Sequence, residues 1–407
     1  MFTRTILSAA LAVIALSAPA LAADGFTISP HGTVQFDIVA LEGSQLPPGF
    51  HISTGGTFRR IRVGVAGQLA ENWLYDFTPR FDTASLKRLH IANAFIQYDG
   101  FAPFHLKVGA FSPPANVDDS TSSAETLFLE RAQPSDLSRG LTSGTGRSAA
   151  SVFAYEQNYF VSLTLAGGLL SDAPGRQGAI VSRAALRAWH DADTNIVIAA
   201  NVAHLFAPPQ TGATHDIRLR SRPEFNGQTI DLRLIDTGNL DAKSVTDIGL
   251  EAAGTYGSFY GQTGIFHFMV DRAPAALPDP TFSGWYIQAS WVFAGEARAW
   301  RASRGSFAAP EPAKAFGDGD WGAFEIGARY SGMYLNNRAG LAGTAQAVDA
   351  VRGGRQNIAS IGLSWYPNDT LRFLLDYQHV DVARLNGAGG SLDVRMDILS
   401  LRSQLSF

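Results

Sequence analysis

The feature of this sequence that most constrains its fold is a two-residue alternation of apolar and polar side chains, which recurs along nearly the whole chain. In residues 285–293, for example, the odd-numbered side chains are all apolar, whereas Gln288 and Ser290 lie between them. Successive side chains of a β-strand point to opposite faces, so this period predicts strands with one apolar and one polar face. Helices are almost absent from the pattern, and the predicted fold class is all-β.

Many of the alternating runs are about ten residues long, which is the length that a tilted strand needs to cross a bilayer. The eighteen runs are residues 34–39, 58–69, 73–82, 90–98, 104–111, 151–156, 159–169, 180–189, 196–206, 216–222, 229–235, 245–256, 259–270, 285–293, 321–331, 357–366, 371–378 and 393–407. The strands of a soluble β-sandwich, the alternative, are usually about five or six residues long, and their exposed faces are rich in Lys and Glu. The chain has only four lysines among its 32 basic residues. A transmembrane antiparallel β-barrel of eighteen strands, to within about two, is therefore favoured.

The connections between the runs alternate between tight turns and long loops, as they do in outer-membrane barrels. Tight turns are predicted at 157–158, 190–193, 257–258 and 367–369. Residues 295–321 break this rule, because a long segment stands where a tight turn is due. Either an additional hairpin lies around residues 297–307, or the strand assignment is wrong there. Aromatic residues near the ends of many runs predict interfacial girdles. They are Trp73, Tyr75, Tyr98, Tyr159, Trp189, Tyr256, Trp321, Trp365, Tyr366 and Tyr377.

The two ends of the chain predict export and insertion into the Gram-negative outer membrane. Residues 1–22 contain a basic start, an apolar stretch and an Ala-x-Ala site, which together predict a signal peptide, with an N-terminal membrane anchor as the alternative. The barrel domain is then expected over residues 23–407. The last strand alternates up to Phe407 and resembles the signal that the outer-membrane insertion machinery reads. An open sheet edge in hydrocarbon leaves backbone groups unpaired, so the last strand is expected to pair with the first.

The overall composition excludes several classes of protein. A mean hydropathy of +0.01 is too polar for a polytopic helical membrane protein. A formal net charge of −4 argues against a nucleic-acid-binding protein. The absence of cysteine excludes disulfides, thiolate nucleophiles and Cys metal sites.

Several motifs resemble the phosphate-selective porins O and P of Gram-negative bacteria. They are residues 58–67 (FRRIRVGVAG), 91–98 (IANAFIQY), 108–114 (VGAFSPP), 122–123 (SS), 128–131 (FLER), 218–224 (RLRSRPE) and 295–298 (GEAR). The resemblance implies a sixteen-stranded barrel, so that eighteen runs would be two too many. It also implies a homotrimer, passive diffusion of small hydrophilic solutes, and a third loop, residues 111–150, folded into the lumen as a constriction.

Arginines are the candidate anion-binding and pore-lining residues, because the guanidinium stays charged and can donate two hydrogen bonds to a phosphate or carboxylate. Arg60 and Arg62 share the polar face of their strand. Arg59 has the parity of the lipid-facing aliphatics, where a buried Arg costs about 2 to 4 kcal/mol, so it must lie near a strand end or be turned inward by a local irregularity. The resemblance implies that Arg59 and Arg60 belong to a central anion site. The alternative for all three is structural pairing with Asp76, Asp82 or Glu130.

A second group of arginines, Arg218, Arg220 and Arg222, has the i, i+2, i+4 spacing that places extended side chains on one side. The resemblance implies that they form part of an arginine ladder on an inward-folding loop; the alternative is a solvated outer loop. The remaining candidates for the constriction or lumen are Asn93, Asp118, Asp119, Ser122, Ser123, Glu130 and Arg131.

The predicted function is an outer-membrane porin for small hydrophilic solutes that prefers phosphate or similar anions. The chain departs from the family pattern at Asn93, where Asp is common, and in the third loop, which carries Asp118, Asp119 and Glu125 in place of lysines. A non-selective general porin is therefore the main alternative, ahead of an enzymatic barrel or an adhesin. No G-x-S-x-G or H-E-x-x-H motif is present, so no enzyme, cofactor or metal site is predicted.

Overall fold

The computed structural model describes residues 21–23, 25–44, 55–81, 88–170, 177–211, 214–225 and 232–407. The expected signal peptide, residues 1–22, falls almost entirely outside these residues and stays a prediction. Asp82, one of the partners considered for the arginines, also lies outside them.

Sixteen antiparallel strands form a closed barrel, which confirms the predicted fold class. The strands are β1 (Phe26–Ser44), β2 (Gly55–Ala70), β3 (Trp73–Phe81), β4 (Leu89–Phe101), β5 (Phe104–Phe111), β6 (Arg147–Glu156), β7 (Tyr159–Leu169), β8 (Gly178–His190), β9 (Thr194–Ala207), β10 (Leu240–Tyr256), β11 (Phe259–Arg272), β12 (Thr281–Ala294), β13 (Ala323–Asn337), β14 (Val351–Tyr366), β15 (Leu371–Ala383) and β16 (Val394–Ser406). The last strand pairs with the first, with Leu405 opposite Val34, and Phe407 exchanges two backbone hydrogen bonds with Gly32. Closure satisfies the edges that hydrocarbon could not solvate.

Two of the eighteen alternating runs, 216–222 and 229–235, are not wall strands. Thr214–Ile217 pairs briefly with the start of β10, and Arg220–Ser221 pairs with Ile235–Asp236 in a separate two-stranded ladder. Residues 226–231 lie outside the described part of the chain. These short strands belong to the long connection between β9 and β10, whose alternating sequence mimics that of the wall.

Each wall strand has one face toward lipid and one toward the interior. On β10, Ile248 and Leu250 are exposed, whereas Asp247 and Glu251 are buried inside the barrel. Exposed aromatics such as Trp73, Trp189 and Tyr256 lie at the ends of strands next to tight turns, as predicted for an interfacial girdle. Tyr366 is different from the prediction: it is buried, and its hydroxyl donates a hydrogen bond to the carboxylate of Glu325 inside the barrel.

The tight turns fall at one end of the barrel and the long connections at the other, except for residues 295–322 between β12 and β13. This segment lies at the tight-turn end and contains a small hairpin, Trp300–Arg301 with Ser306–Phe307. The predicted additional hairpin therefore exists, but it is not part of the wall. Short turns face the periplasm in outer-membrane barrels, so the segment lies at the periplasmic end.

The interior is filled unevenly. Two helices, α1 (Val117–Ser120) and α2 (Gln133–Thr142), lie in the connection between β5 and β6, which is folded inside the barrel. No helix among the described residues is long and apolar enough to cross a membrane. Leu137 and Leu141 of α2 pack with Leu219 and Ile235 of the β9–β10 connection and with inward side chains of the wall such as Phe268. This apolar core packs the two inward connections against the wall, mainly against strands β8 to β16.

Candidate functional site

The inward-folded connection, residues 112–146, is held to the barrel wall by hydrogen bonds on several sides. The Arg372 guanidinium of β15 donates to the carbonyl oxygens of Thr126 at 2.7 Å and Leu127 at 3.1 Å. The amide of Gln133 donates to Ser331 of β13 at 3.0 Å. On β10, Glu251 accepts a hydrogen bond from the backbone N–H of Val117 at 2.6 Å. These attachments leave a gap between the connection and strands β2 to β7.

The gap is a cavity of about 330 Å³, which we call the central cavity. Its wall residues come from β2 and β4 to β7, and its other side is formed by the inward-folded connection and by the periplasmic-end segment 295–322. Six basic side chains and one acidic side chain, Asp119, line it. The basic ones are Arg60, Arg62, Lys107, Arg131, Arg139 and Arg304. A cleft lined mainly by one sign of charge between low-dielectric walls attracts counter-ions, here anions.

Two further cavities adjoin the central cavity and extend it toward both ends of the barrel. The outer one, of about 260 Å³, shares Arg60 and Arg62 with it and also contains Arg59, Arg80 and His90. The inner one, of about 600 Å³, shares Ser122 and Arg304 with it and opens among the periplasmic turns. The inner cavity has mixed charge, because Glu125, Glu311 and Asp369 line it together with Arg304 and Arg372. The three cavities share lining residues in series along the barrel, and the outer and central ones are predominantly basic.

Arg59 reaches the lumen through a β-bulge. In the pairing of β2 with β1, Arg60 lies opposite Gln35 and Phe58 lies opposite Phe36, so Arg59 is an extra residue without a partner position. A bulge of this kind re-aims side chains relative to the regular alternation. The sequence analysis expected a local irregularity that turns Arg59 inward, and this bulge is one. Arg59 and Arg60 can therefore both point into the lumen.

Glu130 is the acidic centre of a buried arginine cluster. Arg59 donates to both of its carboxylate oxygens, at 2.5 and 2.7 Å, and Arg402 of β16 donates to it at 3.3 Å. Arg60 lies 3.5 Å from it and also donates to Gln35 at 2.6 Å. Burial alone would raise the pKa of the Glu130 carboxyl, but the charges of Arg59 and Arg60 outweigh burial and hold that pKa well below its usual range. Arg59 and Arg60 are therefore structurally paired as well as near the path.

Arg62 differs from its two neighbours. Within the described part of the chain its guanidinium forms no hydrogen bond or ion pair, and the charged groups that influence it most are Arg139, Arg59, Arg80 and Arg131. Four arginines, and no carboxylate of the described residues, are therefore the main charges that act on a guanidinium lining the central cavity. An arginine in that position is available to a solute anion.

The acidic pair at the start of the inward-folded connection has divided roles. Asp119 forms ion pairs with Arg139 at 2.7 Å and Arg131 at 3.4 Å, and Arg131 also donates to the carbonyl of Thr121 at 3.0 Å. Asp118 is buried away from the cavity and accepts a hydrogen bond from the backbone N–H of Ala132 at 3.0 Å. Burial raises the pKa of Asp118, although the charge of Arg131 partly offsets this. Asp119 therefore lines the central cavity, whereas Asp118 joins the two ends of the segment between α1 and α2 within the inward-folded connection.

The three spaced arginines of the β9–β10 connection lie on one side of an extended stretch. Leu219 and Ser221 are buried, while Arg218, Arg220 and Arg222 are more exposed. Arg218 forms a two-point ion pair with Asp236, and Arg222 lies 4.0 Å from both Glu130 and Asp136. The stretch therefore reaches inward as far as the Glu130 cluster.

Glu224, which ends the RLRSRPE motif, joins two inward connections to the wall. It accepts a hydrogen bond from the backbone N–H of Gln133 at 2.7 Å and forms an ion pair with Arg329 of β13 at 2.5 Å. Burial raises the pKa of Glu224, and the charge of Arg329 only partly offsets this. The motif thus contributes to the assembly of the interior as well as to its charge.

The remaining predicted residues, Asn93, Ser122 and Ser123, also lie at the central cavity. The Asn93 amide donates to Asp76 at 3.0 Å, which neutral Asn can do and an ionised Asp could not. The Ser123 carbonyl accepts a hydrogen bond from Gln35 at 3.0 Å. Their polar groups line the path without adding charge.

Sequence reasoning missed Lys107, Arg139, Arg304 and Arg402. Lys107 and Arg402 have the inward parity of their strands, and this signal could have identified them. Arg139 lies on α2, and Arg304 lies on the segment whose strand assignment was open, so neither had a predicted direction. No group of three or more His, Asp or Glu side chains in the described ranges is placed to hold a metal ion.

Comparisons with known proteins agree with this architecture. A family described as "Phosphate-selective porin O and P" matches residues 50–407. An uncharacterized protein of Caulobacter vibrioides is 27% identical over 395 residues, which cover 92% of this chain and 73% of that protein. Porin O of Pseudomonas aeruginosa is 24% identical over 373 residues, which cover 85% of this chain and 82% of that protein. The trimer form of OmpT, an outer membrane protein of Vibrio cholerae, has a similar fold, with a TM-score of 0.54, 12% identity, and coverage of 94% of this chain and 100% of that one.

Proposed function

The chain belongs to the phosphate-selective porin O and P family of the Gram-negative outer membrane, and from this premise we propose that it is a porin whose path favours anions. The single observation that supports the preference is the lining of the central cavity, with six basic side chains against one acidic one. Water-filled barrels select solutes by the width and charge of their narrowest zone. Residues 112–146 form that zone in this proposal.

The arginines have two roles in the proposal. Arg62, which pairs with no carboxylate in the part of the chain that the structure describes, provides the main attraction for a passing anion. Arg60 and Arg131 line the same cavity but are held by Gln35, Glu130 and backbone carbonyls, so they contribute charge with less freedom to bind. Phosphate fits such a path because it accepts several hydrogen bonds from guanidinium groups.

A general porin with little ionic preference is the second candidate. Asp119 neutralises part of the charge of Arg131 and Arg139, and the inner cavity carries acidic as well as basic groups. These two observations favour a weak preference over strict phosphate selection. In either case the protein acts as a channel and not as an enzyme.

A homotrimer is the proposed assembly. Membership of the family supports it, and the similar V. cholerae protein has a trimer form. Cross-linking of the purified protein in detergent, followed by mass measurement after heating and without heating, tests this. A single-subunit mass in both samples would contradict it.

The zero-current potential of single channels in a planar bilayer tests the ionic preference. With a KCl gradient, the sign of the potential is expected to show that chloride is more permeant than potassium. Replacement of chloride by phosphate on one side then compares the two anions. A potential of the opposite sign would refute the anion-favouring path, and a value near zero would support the general porin.

A further inference from the structure

One side of the central cavity is aromatic. Phe111 of β5, Phe153 of β6 and Phe160 of β7 line it, together with the arginines of β2 and of the inward-folded connection. The rings of Phe153 and Phe160 stack with their centroids 6.3 Å apart, and Phe153 also stacks on His105 at 5.0 Å. An inorganic anion gains nothing from an apolar surface of this kind.

Lys107 lies within this aromatic surface. Its Nζ is 4.5 Å from the ring centroid of Phe95, 5.1 Å from that of Phe153 and 5.6 Å from that of Phe111. Within the described part of the chain it has no carboxylate within ion-pair distance. The rings hold the ammonium group by cation–π attraction and leave its hydrogen-bond donors open to a ligand.

Arg62 lines the same cavity and is also without a carboxylate partner among the described residues. Among the described residues, the cavity thus offers two cations without a carboxylate partner, together with three rings at its wall, of which Phe153 is the most exposed. Its volume of about 330 Å³ is at the lower end of the range of about 300 to 1,000 Å³ for small-molecule sites. A small organic ligand fits that description better than a bare ion does.

We infer that the central cavity is a binding site for aromatic carboxylates, whose carboxylate pairs with Arg62 or Lys107 while the ring packs against the half-buried Phe153, which the buried rings of Phe111 and Phe160 flank. The inference rests on the proposed anion path and specifies its solute. Aromatic rings prefer offset-stacked or edge-to-face contacts with one another, which a saturated ring of similar size cannot reproduce. A carboxylate that occupies the site should also hinder the passage of chloride.

Block of chloride current in planar bilayers tests the inference, with benzoate as the probe and cyclohexanecarboxylate, acetate and phosphate as comparisons. Benzoate is expected to block half of the current at a concentration about two- to tenfold below that of cyclohexanecarboxylate, which has the same charge and a similar size. Acetate and phosphate should be weaker than both. Equal block by benzoate and cyclohexanecarboxylate would overturn the inference that the site recognises an aromatic ring.

Three variants locate the site. Phe153→Leu keeps apolar volume at the wall and is expected to remove most of the difference between benzoate and cyclohexanecarboxylate. Lys107→Gln is expected to weaken block by both compounds. Phe259→Leu, on the lipid-facing side of β11, is the matched control and should leave block unchanged. If Phe153→Leu behaves like Phe259→Leu, the site is not at this wall.

The two proposals fail in different ways. If chloride is preferred over potassium but benzoate blocks no better than acetate, the anion path stands and the aromatic site is wrong. If the channel prefers potassium, the anion path itself is wrong, and with it the inference that depends on it.

Discussion

At the scale of single residues, arginines that look equivalent in the sequence differ in whether they form an ion pair with a carboxylate of the protein. Arg59 and Arg62 lie on the same strand, three residues apart, but Arg59 is bound to Glu130 through two hydrogen bonds and Arg62 forms none among the described residues. An ion pair already formed with a protein carboxylate has little attraction left for a solute. The free guanidinium is expected to carry most of the selectivity.

Replacement of these two arginines separates selectivity from stability. Arg62→Gln is expected to shift the zero-current potential toward zero, because an unneutralised charge is lost, while thermal unfolding stays unchanged. Arg59→Gln is the matched control: it leaves a buried carboxylate with fewer partners and is expected to destabilise the folded state by about 3 kcal/mol. Zero-current potentials and urea unfolding of both variants measure the effects. Equal changes in potential would contradict the division of roles.

The Glu130 cluster predicts how the interior responds to acid. A carboxyl group whose pKa is lowered in the folded state stabilises that state above its unfolded pKa, about 4.3, and loses this contribution only as the pH falls through the lower folded value. The melting temperature should therefore keep the Glu130 contribution when the pH falls from 7 to 5. The difference between wild type and Glu130→Gln is expected to be the same at both pH values. A difference that disappears at pH 5 would show that Glu130 is not held ionised.

At the scale of elements, the wall and the connections have different determinants. Wall strands are stabilised by hydrogen-bonded neighbours on both sides, whereas side-chain contacts to the wall and to the inward-folded connection hold the periplasmic-end segment 295–322. Arg183 of β8 donates to Ser120 of α1 at 2.8 Å, to the carbonyl of Arg304 at 2.9 Å and to that of Gly305. Gly305 has φ +58, and a Cβ there would lie 2.9 Å from the Cβ of Phe160. The segment is thus fitted closely to the opposite wall.

Loss of the Arg183 attachment should loosen both inward elements at once. Arg183→Met removes the hydrogen bonds to α1 and to the 295–322 segment, and single-channel recordings are expected to show larger conductance and more open-channel noise. Arg187→Met provides the control, because Arg187 lies on the same face of β8 but its guanidinium, among the described residues, donates only to the Asn195 side chain of the neighbouring strand. Identical recordings for wild type and Arg183→Met would mean that other contacts hold the segment.

At the scale of the whole molecule, the path and the protein carry opposite charge. The chain has a formal net charge of −4, yet the central cavity is lined by six basic groups and one acidic group. A selectivity that arises from fixed charges along a hydrated path is screened by salt, because the Debye length falls from about 10 Å at 0.1 M to about 3 Å at 1 M. Net charge alone therefore gives no indication of the basic lining of this cavity.

The permeability ratio of chloride to potassium is therefore expected to fall as the mean salt concentration rises from 0.1 to 1 M. Zero-current potentials at a fixed concentration ratio measure this. The Arg62→Gln variant should show a smaller decrease, since part of the screened charge is already absent. A ratio independent of salt would indicate selection by size and not by charge.

The sequence by itself determined the wall. The two-residue period is a local property of each strand, so it showed which side chains face inward and that the strands could close into a barrel. It overcounted by two, because residues 216–222 and 229–235 alternate in the same way while lying within an inward connection. The alternation also placed Arg59 on the lipid-facing side of its strand, where a charged group is unfavourable. It therefore predicted a local irregularity, and the structure has a β-bulge at this position.

Only the tertiary structure decided what the interior contains. The sequence named Glu130 as one of three candidate partners of Arg59, but the two residues lie 71 positions apart, so local spacing could not decide that they pair. The pair of Asp37 with Arg402, 365 positions apart, was not predicted. The same holds for the aromatic wall and for the segment 295–322, whose partners belong to distant strands. Closure of the barrel brings these strands around one space, and the charges that remain unpaired there follow from the packing of the connections inside it.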